Sequence, residues 1–458
     1  MALFWITASS AKVLSATKEI KMAGSGYKLF ATGDILTAAQ VNNYLMQQTV
    51  MVFANSAART TALASVLAEG MTSYLQDTDS FEVYNGSAWI SASGDLTALT
   101  AGDGITITSP SGPVPTVSFD QANYGGGQGA AGKNAVINGA MDIWQRGTSF
   151  TTTGTFATSY TADRWQGYQG GAGNTMVTSR QTSDLPGFRY NARVQRPSGS
   201  TSTAYLGYWQ TIETANSIPY AGKAVTLSFY ARAGSNMTNS NALVATINSG
   251  TGTDEPNYAF TGYATVATST VNLVSTGGII NGWTRYTLTG TVASTAKELG
   301  VTFTYTPSGT ASTNDYYEIT GVQLELGSTA TPFQRAAGNI QGELAACQRY
   351  YYRQGGLAAY QAMSDYGSAS STTTAYFNVA APVTMRTIPT AIDYSTLEVS
   401  DQVNAGVAVT GVAFTPTVTS TTQLAIYISV ASGLTQYRNY YLRGSNSTSA
   451  YLGFTAEL

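Results

Sequence analysis

Gly321-Val-Gln-Leu-Glu-Leu-Gly-Ser-Thr-Ala-Thr-Pro-Phe333 is followed by a short helix-like run that ends in Cys347-Gln-Arg-Tyr-Tyr-Tyr352. Val322, Leu324 and Leu326 alternate with Gln323 and Glu325, the two-residue period of a strand with one apolar and one polar face. Gly327 stops that strand, and Pro332-Phe333 marks a rigid exit carrying an aromatic plug. One β domain closes here and another begins.

Upstream, residues 133–337 read as all-β. Strand-like runs occur at Thr175–Arg180, Tyr205–Glu213, Ala224–Ala231, Leu243–Ile247, Trp283–Leu288, Val301–Tyr305 and Tyr317–Leu326. They are rich in β-branched and aromatic residues, and Gly, Asn, Ser or Pro punctuate them. About seven or eight short strands in such a stretch predict a sandwich or jelly roll. Downstream, residues 338–458 open with a helix over Ile340–Tyr350 and continue as strands, including Gln423–Val430 and Tyr437–Arg443. Arg386-Thr-Ile-Pro-Thr390 reads as a turn or edge element, because proline cannot donate to a central ladder. A small polar turn and Tyr451-Leu-Gly-Phe454 finish what is expected to be a second, smaller β-sandwich.

Residues 1–90 are more mixed. Thr37-Ala-Ala-Gln40 is a capping-box pattern, opening a helix with Val41, Tyr44, Leu45 and Met51 at helical spacing. A second helix over Ala57–Leu67 precedes strands at Met71–Leu75 and Phe81–Tyr84, and Asn85-Gly86 makes a tight turn before Ala88-Trp89. In residues 91–132, Ile105-Thr-Ile107 and Val114-Pro-Thr-Val-Ser-Phe119 are short strands between Gly-Asp and Pro turns. One chain cannot bury a core with about forty such residues, whereas three copies wound together could. The alternative is a plain interdomain linker. Tyr124-Gly-Gly-Gly-Gln-Gly-Ala-Ala-Gly132 reads as a flexible linker. The expected fold is therefore mainly β: a small α+β N-terminal module, a β-rich trimeric neck, a jelly-roll β-sandwich and a second C-terminal β-sandwich.

Composition narrows the function. At 458 residues the chain holds two to four domains. Charged residues make up 10%, far below the usual quarter, and the formal net charge is −3. No basic stripe is available to meet phosphates, which argues against nucleic acid. The chain has no histidine, which removes the commonest general base and metal ligand and excludes Ser-His-Asp and Cys-His arrangements. The single cysteine, Cys347, can form no intrachain disulfide and reads as a small buried hydrophobe in a short helix. No run approaches the roughly 18 apolar residues that span a bilayer, so no membrane insertion is expected. Met1–Ile6 is too short for a signal core and lacks a basic start. A neutral, hydroxyl- and amide-rich surface without an export signal fits a virion protein made in a host cytoplasm and released by lysis.

Four further pieces, Asn138-Gly-Ala-Met-Asp-Ile-Trp-Gln-Arg146, Ala162-Asp-Arg-Trp165, Leu227-Ser-Phe-Tyr-Ala-Arg232 and Gly282-Trp-Thr-Arg-Tyr286, join residues 321–333 and 347–352 in one pattern. Together they resemble the carbohydrate-binding-module-like jelly rolls of phage tail fibres and receptor-binding proteins. The stretch from Asp77 to Trp89 is similar to a small N-terminal module of phage tail and minor structural proteins. The resemblance implies a homotrimer in which residues 1–90 dock to other tail or baseplate proteins, 91–132 thread a neck, 133–337 form the jelly roll and 338–458 face the host. It implies multivalent, non-catalytic attachment to host surface polysaccharide, with no cofactor unless a structural Ca2+ is held near the first and last strands. Asp142 and Glu325 are the candidates for that ion.

Glycoside cleavage would need two carboxylates at a fixed separation. Asp142, Asp163, Glu213, Asp315, Glu318 and Glu325 form no recognisable catalytic spacing, so no catalytic residue is assigned. Salt bridges to Arg146, Arg164 or Arg232 are their ordinary role. Neither Asn138-Gly139 nor Gly125–Gly129 has the strand–loop–helix context of a phosphate loop. Thirty tyrosines and six tryptophans are the larger resource, since sugar C–H faces pack on flat rings while their hydroxyls need amide, hydroxyl and guanidinium partners. Trp165, Tyr168, Tyr208 and Trp209 in the jelly roll are candidate platforms, as are Tyr437, Arg438, Tyr440 and Tyr441 near the end. In that last run Tyr437, Asn439 and Tyr441 are expected on one face, and Arg438 and Tyr440 on the other. The rival functions are a tailspike-type polysaccharide depolymerase, a purely structural tail or baseplate component and, less in keeping with the missing export signal, a bacterial adhesin.

Overall fold

The computed structural model describes residues 31–46, 49–92, 100, 105–108, 116–119, 132–171, 173–275 and 279–458. The start of the chain, most of the expected neck and the Gly-rich stretch 124–131 lie outside the described residues. The chain divides into two compact units, Met1–Asp120 and Gln121–Leu458.

In the first unit, helix α1 (Ala38–Tyr44) begins at the expected capping box. Thr37 Oγ1 accepts from the Gln40 amide and the Gln40 side chain accepts from the Thr37 amide. Helix α2 (Ser56–Leu63) follows β1 (Val50–Phe53), which pairs in parallel with β2 (Thr72–Leu75); β3 (Ser80–Tyr84) and β4 (Trp89–Ser91) continue the sheet antiparallel. Buried Arg59 reaches Ser73 and Glu82 and lies 4.0 Å over the Trp89 ring, so its charge is paired and stacked. The two short strands of the expected neck, β5 (Ile105–Thr108) and β6 (Thr116–Phe119), pair with each other as an antiparallel hairpin.

The second unit contains a sandwich of two six-stranded antiparallel sheets. The first runs β16 (Thr284–Thr291), β13 (Ala224–Ala233), β18 (Tyr316–Leu326), β11 (Tyr190–Gln195), β10 (Thr175–Thr182) and β7 (Ser149–Thr153). The second runs β15 (Ala264–Asn272), β14 (Ala242–Gly250), β17 (Glu298–Tyr305), β12 (Leu206–Ile212), β9 (Gln166–Gln169) and β8 (Thr158–Tyr160). The chain passes repeatedly from one sheet to the other, as a jelly roll does. Leu227, Phe229, Ile319, Val322 and Leu324 meet Ile247, Val301, Phe303, Trp165 and Tyr208 in the core between them. Five strands escape the sequence reading. The segments of β7, β8, β9 and β15 are rich in Ser, Thr or Gln, and β11 carries Arg193 and Gln195 among its few apolar residues.

Strand β18 departs from simple alternation at one point. Opposite it on β13, the partners step from Ser228↔Gln323 to Tyr230↔Thr320, so Gly321 and Val322 face one residue, a β-bulge. Gly321 has φ +61°, and a Cβ there would lie 2.7 Å from the Phe188 ring and 2.9 Å from Tyr230. The extra residue resets the phase: Tyr317 and Ile319 point into the core before it, Val322 and Leu324 after it. Without it the second half of the strand would turn its apolar side outward. Gly321→Ala combines the left-handed backbone with overpacking and is expected to cost about 2–3 kcal/mol. The midpoint of urea unfolding measures it; an unchanged midpoint would remove this role for the bulge.

The polar side of β18 is buried as well. After Gly327 the chain folds back over its own strand, and Thr331 gives its amide (2.8 Å) and hydroxyl (2.6 Å) to the Glu325 carboxylate. Gln323 accepts from the Gln334 amide at 2.7 Å. Phe333, the expected plug, packs against Phe188 with ring centroids 5.1 Å apart. Farther along, Glu318 is held between Arg193 (2.6 and 2.8 Å) and Arg232 (2.6 Å). Such burial is tolerable because each polar group has partners.

The C-terminal β region was expected as a sandwich. Its strands β20 (Gly367–Ala369), β21 (Thr374–Ala380), β25 (Gln423–Val430), β24 (Val407–Phe414), β23 (Leu397–Ser400) and β26 (Asn439–Gly444) instead close on themselves as a barrel. Closure follows because β26 pairs with both β20 and β23, which removes the free edges. A three-stranded sheet, β19 (Tyr351–Gly355), β27 (Tyr451–Thr455) and β22 (Ala391–Ser395), packs against it through Leu452 and Phe454. Helix α3 (Ile340–Gln348) precedes β19, with Asn339 as its N-cap and Cys347 fully buried.

Candidate functional site

The aromatic candidates separate once the faces of the sheets are known. Trp165 and Tyr208 are buried completely and stack on each other at 5.0 Å. They are core residues and can offer no ring to a ligand, which corrects their assignment as platforms. The reason is phase: Leu206, Tyr208 and Ile212 of β12 point inward, so Gly207, Trp209 and Thr211 point outward.

That outward face of the second sheet carries a connected group of aromatic rings. A chain of rings runs from Phe156 to Tyr168 (6.4 Å), Tyr168 to Trp209 (4.7 Å) and Trp209 to Tyr258 (5.9 Å), with Tyr205 5.4 Å from Tyr168. Trp209 is itself 5% exposed, its Nε1 bonded to Gln166 at 2.7 Å, whereas Phe156 (61%) and Tyr258 (60%) are open. Burial, and next the Tyr205 hydroxyl at 3.1 Å, push the Tyr168 phenol well above its ordinary value, so it stays a neutral donor and acceptor.

Polar groups extend from the rings in register. Thr268, Thr246, Thr302, Trp209 and Gln166 are successive cross-strand partners on this face, at about 4.8 Å per strand. Thr270, Val244, Thr304, Gly207, Tyr168 and Thr158 form the next row. One end is walled by the loop that carries Tyr258 and Tyr263. Asn257 of that loop donates to Thr302 Oγ1 (2.6 Å), and the Tyr263 hydroxyl donates to Asn248 Oδ1 (2.7 Å). Flat apolar rings beside rows of hydroxyls and amides form a surface matched to a polyhydroxylated ligand. Phe156, Tyr205, Tyr258 and Tyr263 were missed from the sequence because they sit on loops or at strand ends, where the period-two pattern is silent.

In the barrel, Tyr440 is buried in the core, which removes it as a platform. The expected alternation holds only from Asn439 onward. Tyr437 precedes the strand in a turn with φ +66° and is 82% exposed. Tyr441 is half-buried and meets Tyr366 edge-on at 5.7 Å. Arg438 is tied to Asp401 at 2.9 Å. The Asn404 amide and side chain, the Val403 amide and Arg438 hold that carboxyl at about 2. Beside these residues a groove of about 430 Å3 is lined by Tyr366, Tyr376, Asn378, Thr415, Val418 and Asn439. It brings rings and amides together, but Tyr437, Arg438 and Tyr441 lie outside its lining.

The carboxylates are engaged elsewhere. Asp142 accepts from Arg335 at 2.7 and 3.2 Å, and Glu325 from Thr331 and Gln323 with Lys133 3.7 Å away. The two are thus occupied by separate partners, and no group of three or more metal-ligating side chains occurs among the described residues. Asp315 binds Arg196 and the Tyr305 hydroxyl, and Glu213 binds Arg349 and the Tyr350 hydroxyl. Asp163 accepts from the Gln145 amide at 2.8 Å; burial pushes its carboxyl up to about 6 against the pull of Arg146 and Gln145.

Several motifs converge at the joint between sandwich and barrel. Arg164 pairs with Glu457, donates to the Thr211 carbonyl (2.8 Å) and lies 3.6 Å over the Tyr350 ring. Arg146 reaches Glu457 at 3.3 Å and stacks 3.5 Å over Tyr351. Buried Glu343 of α3 accepts from the Asn138 amide (2.5 Å) and the Ala337 amide (2.9 Å). Arg386 binds the Ala456 and Glu457 carbonyls and Asp254. Segments 138–146, 162–165 and 347–352 therefore fasten the fold.

No protein-family model matches the sequence, and no curated protein matches it. Among solved structures, the chain is similar to the enzymatically active domain of bacteriophage CBA120 tailspike protein 4, with 18% identity over 43% of this chain and 22% of that one, at a TM-score of 0.25. It is also similar to a CBM4 structure (17% identity, 42% of this chain and 99% of that one, TM-score 0.25). The xylan-binding domain from CBM 22 gives 14% identity over 43% and 98% of the two chains, at a TM-score of 0.22.

Proposed function

We propose that this chain is a receptor-binding protein of a virion tail fibre, which holds host cell-surface polysaccharide without cleaving it. The observation that carries the proposal is the outer face of the second sheet, where the exposed rings of Phe156 and Tyr258 and the half-buried ring of Tyr168, backed by the buried Trp209 indole, adjoin cross-strand rows that carry threonine and glutamine. The rings take up sugar C–H faces and the rows exchange hydrogen bonds with hydroxyls. Each contact is weak, and assembly into a homotrimer joined to other tail or baseplate proteins through the N-terminal unit raises the total by effective concentration. The six carboxylates singled out from the sequence are bonded to cations, hydroxyls or amides, in keeping with binding rather than cleavage. No cofactor takes part in such binding.

A printed array of bacterial surface polysaccharides and neutral oligosaccharides, probed with the full chain, tests the reading. Binding to at least one polysaccharide is expected, with Tyr258→Ala weakening it about tenfold, equivalent to ~1.4 kcal/mol, at an unchanged thermal midpoint. Shortening of the bound polysaccharide would replace this reading with a depolymerase. Failure to bind host cells or any polysaccharide would replace it with a structural tail component.

A further inference from the structure

We infer that the chain holds a second ligand site, for an anionic saccharide, in the cavity between the end of the first sheet and helix α3. The cavity has a volume of about 540 Å3, within the range of small-ligand sites. Its apolar wall is made by Trp144, Tyr190, Ile340 and Leu344. Ile340 and Leu344 project from α3 with 49% and 38% exposure, apolar surface that the fold itself leaves uncovered. The Trp144 indole is fixed by its bond to the Met141 carbonyl (2.8 Å) and by stacking on Phe150 at 6.3 Å.

Charge sets the ligand class. Arg335 lines the cavity with its charge answered by Asp142. Arg189 also lines it, and Arg180 approaches from the neighbouring strand; their guanidinium groups lie 4.9 and 4.4 Å from the Tyr190 ring centroid. Neither Arg189 nor Arg180 forms an ion pair among the described residues, whereas twelve other cationic side chains do. Asp142 also lines the cavity but is taken up by Arg335, so Arg189 gives the rim a positive charge that no ion pair among the described residues answers, and Arg180, outside the lining, adds to it across the Tyr190 ring. Guanidinium forks match carboxylate and phosphoryl oxygens in pairs, and the wall suits the C–H face of a sugar ring. An acidic sugar residue, bearing a carboxylate or a phosphoryl group, satisfies both halves. The inference does not depend on the aromatic face of the second sheet, because the two sites share no residue.

Titration calorimetry on the full chain tests it, with trigalacturonate, uncharged maltotriose and inorganic phosphate as probes. Trigalacturonate or phosphate is expected to bind and to weaken as salt rises from about 0.05 to 0.3 M. Arg189→Ala should weaken the anion at least fivefold and Arg189→Lys less, with Tyr258→Ala leaving it unchanged. Binding of trigalacturonate alone identifies a carboxylate ligand, and competition by phosphate identifies a phosphoryl ligand; either supports the site. Equal binding of maltotriose, undiminished binding by Arg189→Ala, or no binding of either anion overturns it. Loss of polysaccharide binding by Tyr258→Ala with trigalacturonate binding intact would separate this site from the aromatic face.

Discussion

Trp165→Ala is expected to lower the stability of the second unit by about 3–5 kcal/mol, the range for deleting a large core aromatic. The indole stacks on Tyr208 at 5.0 Å, approaches Phe303 at 6.2 Å and donates Nε1–H to the Asn138 carbonyl at 3.1 Å. Its removal leaves a cavity between the sheets that cannot be refilled without moving both of them, while the Asn138 carbonyl keeps the Met141 amide as a donor at 3.0 Å. Trp165→Phe keeps the apolar contact and should cost roughly half as much. Urea unfolding followed by circular dichroism measures both variants. A Trp165→Ala protein with an unchanged unfolding midpoint and lost polysaccharide binding would show that the ring is a ligand platform after all.

Arg164→Ala should cost about 3 kcal/mol, because it strands Glu457 in a buried setting. The loss is held to the lower end of the range for a broken buried pair by Arg146, which remains 3.3 Å from the same carboxylate. The variant also forfeits the bond to the Thr211 carbonyl and the stacking on Tyr350. The barrel should then become more sensitive than the sandwich to limited proteolysis, since Arg164 and Glu457 belong to different halves of the joint. Combining Arg164→Met with Glu457→Leu should recover only part of the stability, because Arg146 then loses the same carboxylate. A double-mutant cycle gives the coupling. A cost below about 0.5 kcal/mol for Arg164→Ala, the size of an ordinary surface substitution, would mean that charge does not hold the joint.

The motifs that were easiest to read mark the structural joint. Asn138, Gln145, Arg146, Asp163, Arg164, Tyr350 and Tyr351 form a connected polar and aromatic network there. The candidate ligand face is built from Phe156, Tyr205, Tyr258 and Tyr263, which carry no local signature, and from Tyr168 and Trp209, which looked no different from Trp165 and Tyr208. Adjacent residues Tyr208 and Trp209 met opposite fates because a strand sends successive side chains to opposite faces. Only the position of the first sheet decides which of those faces is covered.

By itself the sequence determined that the chain is mainly β, that Thr37 and Gln40 cap a helix, and that 321–326 is a strand with opposed apolar and polar sides. These are local matters, set by periodicity, capping and turn chemistry. It also barred histidine chemistry and an intrachain disulfide outright. The tertiary structure alone decided that the polar side of that strand is buried, that Gly321 resets its phase, and that the C-terminal strands close into a barrel. It alone decided which rings reach the surface. Those outcomes depend on how segments pack on one another, most of them far apart in the chain, such as Gly321 against Phe188 or Gly367 against Tyr440. A local pattern of residues holds no record of what will be packed on top of it.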